Sequence, residues 1–265
     1  MKLIPLLLLT GMFAVSGWAE DAKPEPYSEE LVKKAEAGHA EAQYDLGWCY
    51  YRCKGVAEDY KEAVKWCTKS AQQGYENAQF LLGVCYYNGY GVTEDKKEAV
   101  KWYTKSAEQG NAGAQAELGW CFANGEVVPQ DYKEAVKWHK KSAEQGVSAA
   151  QYALGDYYAK GQGVPQDYKK AVGWYTKSAN QDNPRGQFRL GDSYYNGQGV
   201  PQDYKEAVKW YRKSETRQSQ YKLGLCYENG NGVPKDEKEA LDLYKKSADQ
   251  NYEDAKKALE RMKSK

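Results

Sequence analysis

The chain has only two histidines, His39 and His139, so imidazole chemistry has few places to occur. General base work needs a ring poised near neutral pH and within reach of a substrate proton. His39 falls in a turn between two helical patterns. His139 follows Trp138, in a slot that elsewhere holds Cys67, Tyr103, Tyr175 and Tyr211. A slot that accepts thiol, phenol and imidazole alike is structural or solvated, so neither histidine reads as catalytic. No Gly-x-Ser-x-Gly elbow, His-Glu-x-x-His pair or phosphate loop occurs. Gly-x-Gly does occur, but in most units of a repeating pattern. A phosphate site is needed once, whereas a hinge is needed in every unit.

Thiols are the next candidates, with six cysteines in all. Cys49, Cys85, Cys121 and Cys226 each stand two residues after a Leu-Gly pair, on the apolar face of a helical pattern. Equivalent positions of stacked hairpins lie about 10 Å apart, and a disulfide needs Cα atoms within about 7 Å. These four therefore read as small buried hydrophobes. Cys53 and Cys67 have no counterparts, which makes them the pair to consider if any bridge forms. Cys49-x3-Cys53 has no histidine nearby in sequence and is a weak metal motif. The carboxylates are numerous but read as helix caps and solvated faces. No catalytic residue, metal or cofactor is assigned.

The elements that carry these residues repeat. The Gly of Leu-Gly recurs at 47, 83, 119, 155, 191 and 224, four times at a spacing of 36 and finally at 33. The short spacing falls at SETRQSQYKLG, where three residues are missing between hairpins. Each unit holds two helical patterns. The first, the A helix, has a small residue five before the Gly, Leu one before it and apolar residues two and three after it, which is one face of a helix. A turn such as NGYGV or KGQGV follows, with paired Gly for a tight reversal. Pro129, Pro165, Pro201 and Pro234 stop the helix from continuing. The second, the B helix, opens at Asp59, Asp95, Asp131, Asp167, Asp203 or Asp236. Glu stands three later in five of the six units, which resembles a capping box. Ala63, Trp66, Ser70 and their equivalents form its buried stripe, and Lys61, Lys65 and Lys69 its solvated side. Half-units close the ends, LVKKAEAG at 31–38 and NYEDAKKALERMKSK at 251–265.

The frame AQYDLGWCYYRCKGV…DYKEAVKWCTKSAQQG resembles the Sel-1-like repeat, a relative of the tetratricopeptide repeat. The resemblance covers residues 27–265. It implies an all-α, right-handed α-solenoid of about six helix-hairpin repeats with terminal half-repeat caps. It also implies a non-enzymatic adaptor that holds a protein or peptide in a concave groove. Three units depart from the frame: Cys53 and Val127 replace turn glycines, and Leu243 replaces the B-helix Trp. A cysteine-rich bacterial branch of the family bridges its hairpins, and some members are described as penicillin-binding. Its regular Cys spacing is absent here, so that activity is not carried over. The runner-up reading is a cell-envelope enzyme acting on peptidoglycan or a β-lactam.

The bulk numbers fit an exported scaffold. Charged residues make up 28%, the net charge is +1, and this balance gives no electrostatic reason to bind nucleic acid or an anionic membrane. Lys2, the apolar run from Leu3 to Val15 and Gly17-Trp18-Ala19 read as a signal peptide over 1–19, cleaved after Ala19. Residues 20–26 read as a flexible leader and 27–265 as the solenoid. The expected location is periplasmic or secreted, with no stable membrane insertion after cleavage. One surface stands out. On the A helices, positions three before, one after and four after the Gly form a second stripe. The middle slot reads Trp48, Val84, Trp120, Asp156, Asp192 and Leu225. Packing between near-identical hairpins gives no reason for that change, whereas a partner with an apolar end and a basic end would. Trp48, Tyr51, Tyr87, Trp120, Asp156 and Asp192 are the expected partner-binding residues.

Overall fold

The computed structural model describes residues 24–263 as fourteen α-helices with no strand among the described residues. The segment expected as a signal peptide, 1–19, lies outside the described residues. The first unit, 24–147, contains α1 (Glu29–Glu36), α2 (Ala40–Arg52), α3 (Tyr60–Gln72), α4 (Glu76–Asn88), α5 (Lys96–Glu108), α6 (Ala112–Asn124) and α7 (Tyr132–Glu144). The second, from 148 onward, contains α8 (Ser148–Lys160), α9 (Tyr168–Ala179), α10 (Pro184–Asn196), α11 (Tyr204–Ser214), α12 (Arg217–Asn229), α13 (Glu237–Asp249) and α14 (Glu253–Lys263). In each unit every A helix packs on the B helix that follows it. Within the first unit α3 and α5 also pack on the next A helix, and within the second α9 and α11 do so. The half-units are helices too, α1 against α2 and α14 against α13. The chain is an all-α repeat solenoid.

The B helices start where the sequence places them, but by half of the expected device. Each Asp is an N-cap whose carboxylate accepts from the first-turn amides, as Asp59 does from Lys61 and Glu62 at 2.9 and 3.1 Å. Such a cap stabilises by about 0.5–2 kcal/mol. The reciprocal bond from Glu to the cap amide is not made. That N–H is already taken by a backbone carbonyl of the A helix, Asp59 to Tyr50 at 3.2 Å and Asp95 to Tyr86 at 2.9 Å. Glu62, Glu134 and Glu206 instead pair with the lysine three residues on.

Recurring polar bonds join the A and B helices within each repeat. Ser70, Ser106 and Ser142 donate to the carbonyls of Ala40, Glu76 and Ala112 at 2.6, 2.7 and 2.8 Å. Gln109 donates through Nε2 to Gln79 Oε1 at 2.7 Å, and Gln145 to Gln115 at 2.8 Å. The second unit repeats both patterns, with Ser178 to Ser148 and Gln181 to Gln151. These bonds satisfy groups that would be costly to bury alone and fix each B helix against its own A helix. Residues 24–26, expected within a flexible leader, show a different character. Glu25 N–H donates to Asp45 at 3.1 Å, and its carbonyl accepts from the Cys49 thiol at 3.5 Å.

Candidate functional site

The Leu-Gly glycine owes its place to the side chain beneath it. A Cβ on Gly83 would lie 2.6 Å from the ring of Tyr103, and one on Gly119 would lie 2.6 Å from His139 Nδ1. The slot after the B-helix Trp therefore presses its side chain flat against A-helix backbone. His139 is structural: it is 1% exposed, its Nδ1 lies 3.1 Å from the Ala135 carbonyl, and burial holds its pKa down at about 4. The cysteines are all free. Five are buried, including Cys67 under Gly47, while Cys53 is exposed at the end of α2. The pair considered for a bridge is thus split between core and surface. Among the described residues no group of three His, Cys, Asp or Glu could hold a metal ion.

The A-helix stripe of the first unit is aromatic and half-buried. Tyr44 and Phe80, three before the Gly, belong to the core. Trp48 and Tyr51 pack partly buried against the core cluster that contains Tyr44, Leu81 and Leu82. The Trp48 indole N–H is buried and has no acceptor. Tyr51 lies edge-on to Tyr60, ring centroids 5.6 Å apart, and Tyr60 stacks on Tyr90 at 4.9 Å. Tyr87 meets Trp120 edge-to-face at 5.9 Å, with Lys96 Nζ 5.2 Å from the tyrosine ring. None of these four predicted residues is exposed, but each keeps part of its ring at the surface.

In the second unit the stripe is polar, and the structure brings Asp156 and Asp192 into one cleft of about 210 Å³. Asp156 is heavily coordinated. Arg189 approaches it through Nε at 3.0 Å and Nη2 at 3.2 Å, Tyr175 donates at 2.7 Å, and Lys160 and Tyr152 each donate at 3.2 Å. Burial pushes the carboxyl up, but Arg189, Tyr175 and Lys160 outweigh it and hold the pKa below the usual value. Asp192 accepts from Tyr211 at 2.7 Å, and Lys222 Nζ stands 4.0 Å away. There burial wins, and the carboxyl is raised.

These contacts correct the expectation drawn from sequence for the variable slot. Arg189 and Lys222 each stand two before the Gly of the following repeat, so the slot after one Gly packs against that position of the next hairpin. Packing does have a reason to demand Asp at 156 and 192, because the cations opposite them change as well. Sequence reasoning missed Arg189, whose signal was its place in a frame that holds Leu81 in another unit.

The Sel1 repeat profile matches residues 40–75, 77–111, 112–147, 148–183, 184–215 and 217–252. The crystal structure of a protective antigen present in uropathogenic Escherichia coli strains, displaying an SLR fold, is similar at 38% identity and a TM-score of 0.79. The match covers 87% of this chain and 50% of that one, so the chain spans half the length of that antigen. A Sel1 repeat protein from Oxalobacter formigenes is similar at 29% identity and a TM-score of 0.72, over 82% of this chain and 95% of that one. Immunity protein PA5088 from Pseudomonas aeruginosa shares the fold alone, at 16% identity and a TM-score of 0.50, over 91% and 88% of the two chains. No curated protein matches the chain.

Proposed function

The chain belongs to the Sel1 repeat family, whose members are in general protein-interaction scaffolds, and from that premise we propose that it is an exported, non-catalytic adaptor for a protein or peptide partner. The partner lies along the A helices. It meets Trp48, Tyr51, Tyr87 and Trp120 in the first unit and the cleft of Asp156 and Asp192 in the second. The observation that carries this reading is the half-buried aromatic stripe of α2, α4 and α6. Its rings are held in place by neighbours yet keep apolar area at the surface, as interface anchors do. The periplasm or the exterior is the proposed location, following the signal-peptide pattern over 1–19. No helix among the described residues is long and apolar enough to cross a membrane.

The test is capture from an envelope extract with residues 20–265 as bait, beside the same bait carrying Trp48→Ala and Trp120→Ala. A protein retained by the native chain and lost from the folded variant supports the reading. Equal retention by both baits overturns the stripe as the binding surface.

A further inference from the structure

The cleft in the second unit has a definite origin. Four residues after the Leu-Gly glycine, repeats one and five carry Tyr51 and Tyr195. Each of those rings packs on the tyrosine that opens the following B helix, Tyr51 on Tyr60 at 5.6 Å and Tyr195 on Tyr204 at 5.0 Å. Repeats three and four have Ala123 and Ala159 instead. Tyr132 of repeat three is nonetheless half-buried, whereas Tyr168, the matching B-helix tyrosine of repeat four, is 36% exposed, one of two large exposed hydrophobics among the described residues. Ala159 and Tyr168 line the cleft together with Gln198, Asp156, Arg189 and Asp192. The hollow is a tyrosine-sized vacancy with a ring on one wall.

Its charges are unevenly satisfied. Arg189 and Lys160 are both bonded to Asp156, so the cations of the cleft are compensated there. Asp192 has one hydroxyl donor, and its nearest cation is at the 4.0 Å limit of an ion pair. An incoming cation gains more at Asp192 than at Asp156, whose oxygens already accept from four side chains. The vacancy favours a flat group, because it replaces a ring and lies against Tyr168. A guanidinium is flat, stacks on aromatic faces and donates to carboxylates in a fork.

We propose that this cleft receives an arginine side chain of the bound partner, with its guanidinium between the Tyr168 ring and the Asp192 carboxylate. The proposal rests on the adaptor reading above and names the residue that the second unit recognises. Asp192 is the acceptor, and Asp156 and Arg189 form a closed pair that shapes the wall.

Short peptides test it without the unidentified partner. N-acetyl-Gly-Arg-Gly-amide is titrated into the whole mature chain and followed by NMR shifts, beside the counterparts with neutral citrulline and with tyrosine. The arginine peptide should saturate shifts at Ala159, Tyr168 and Asp192, and citrulline should bind about tenfold more weakly, as expected for loss of a charged hydrogen bond. Asp192→Asn should produce a similar loss. Ala159→Tyr, which restores the residue of repeats one and five, should fill the cleft and abolish binding while the melting temperature holds. No saturable binding of the arginine peptide, equal binding of citrulline, or unchanged binding to Ala159→Tyr would overturn the proposal. Tighter binding of the tyrosine peptide, insensitive to Asp192→Asn, would show an apolar ring hollow and overturn it as well. Failure here leaves capture by the aromatic stripe standing, because that assay reads Trp48 and Trp120 in the other unit.

Discussion

Two side chains are held at a measurable cost. Cys53 ends α2 in the left-handed region at φ 55°, where the five other A helices end in Gly. An L-residue there is strained by about 1–2 kcal/mol, so Cys53→Gly should raise stability by roughly 1 kcal/mol in a denaturant titration. Its φ could not be read from residue type, yet the departure from the glycine frame pointed to it. Glu117 is the second case. Burial raises its carboxyl to about 7, and it lies near the buried hydroxyl of Tyr103, which has no partner. The folded state thus holds this proton more tightly than the unfolded chain does. The resulting stabilisation is complete below the ordinary value of 4.5 and is lost as pH rises towards 7. Glu117→Gln should melt higher than the native chain at pH 8 and show no such gain at pH 4. Thermal melting at the two pH values decides this.

At the scale of the helix, one residue type has opposite effects in two settings. Gly83 carries the ring of Tyr103 on its backbone, whereas Gly173, on an exposed face of α9, has nothing within 4 Å of the place a Cβ would take. Gly83→Ala forces a large, fully buried ring to move and should destabilise by about 1–3 kcal/mol. Gly173→Ala should stabilise by about 0.5–1 kcal/mol through helix propensity. Chemical denaturation of both variants checks the pair, and equal effects would refute the packing role of the Leu-Gly frame. The helices, their caps and their order were legible because each depends on near neighbours in sequence: Asp before Tyr-Lys, Gly after Asn, Leu before Gly. The capping-box expectation failed for a longer-range reason. The Asp59 amide finds the Tyr50 carbonyl across the turn, and nothing in Asp-x-x-Glu reports that.

At the scale of the chain, the repeat was legible and the contacts between repeats were not. Asp156 and Arg189 are 33 residues apart, and only the stacking of one hairpin on the next brings them together. The cleft beside them follows from an absence, Ala159 in a tyrosine slot, which has meaning only once Tyr168 is placed. Export is a proposal at this scale. Intact mass of the protein from the envelope fraction should correspond to a chain beginning at Glu20, and a product retaining Met1 to Ala19 would contradict it. The most direct test of the central claim pairs affinity with stability. Trp48→Ala and Trp120→Ala are each measured for binding to the captured partner and for thermal melting. Interface anchors should lose about 1–4 kcal/mol of affinity per ring with a melting temperature close to native. Unchanged affinity with a large fall in melting temperature would show that these rings serve the core, and would contradict the role assigned to them.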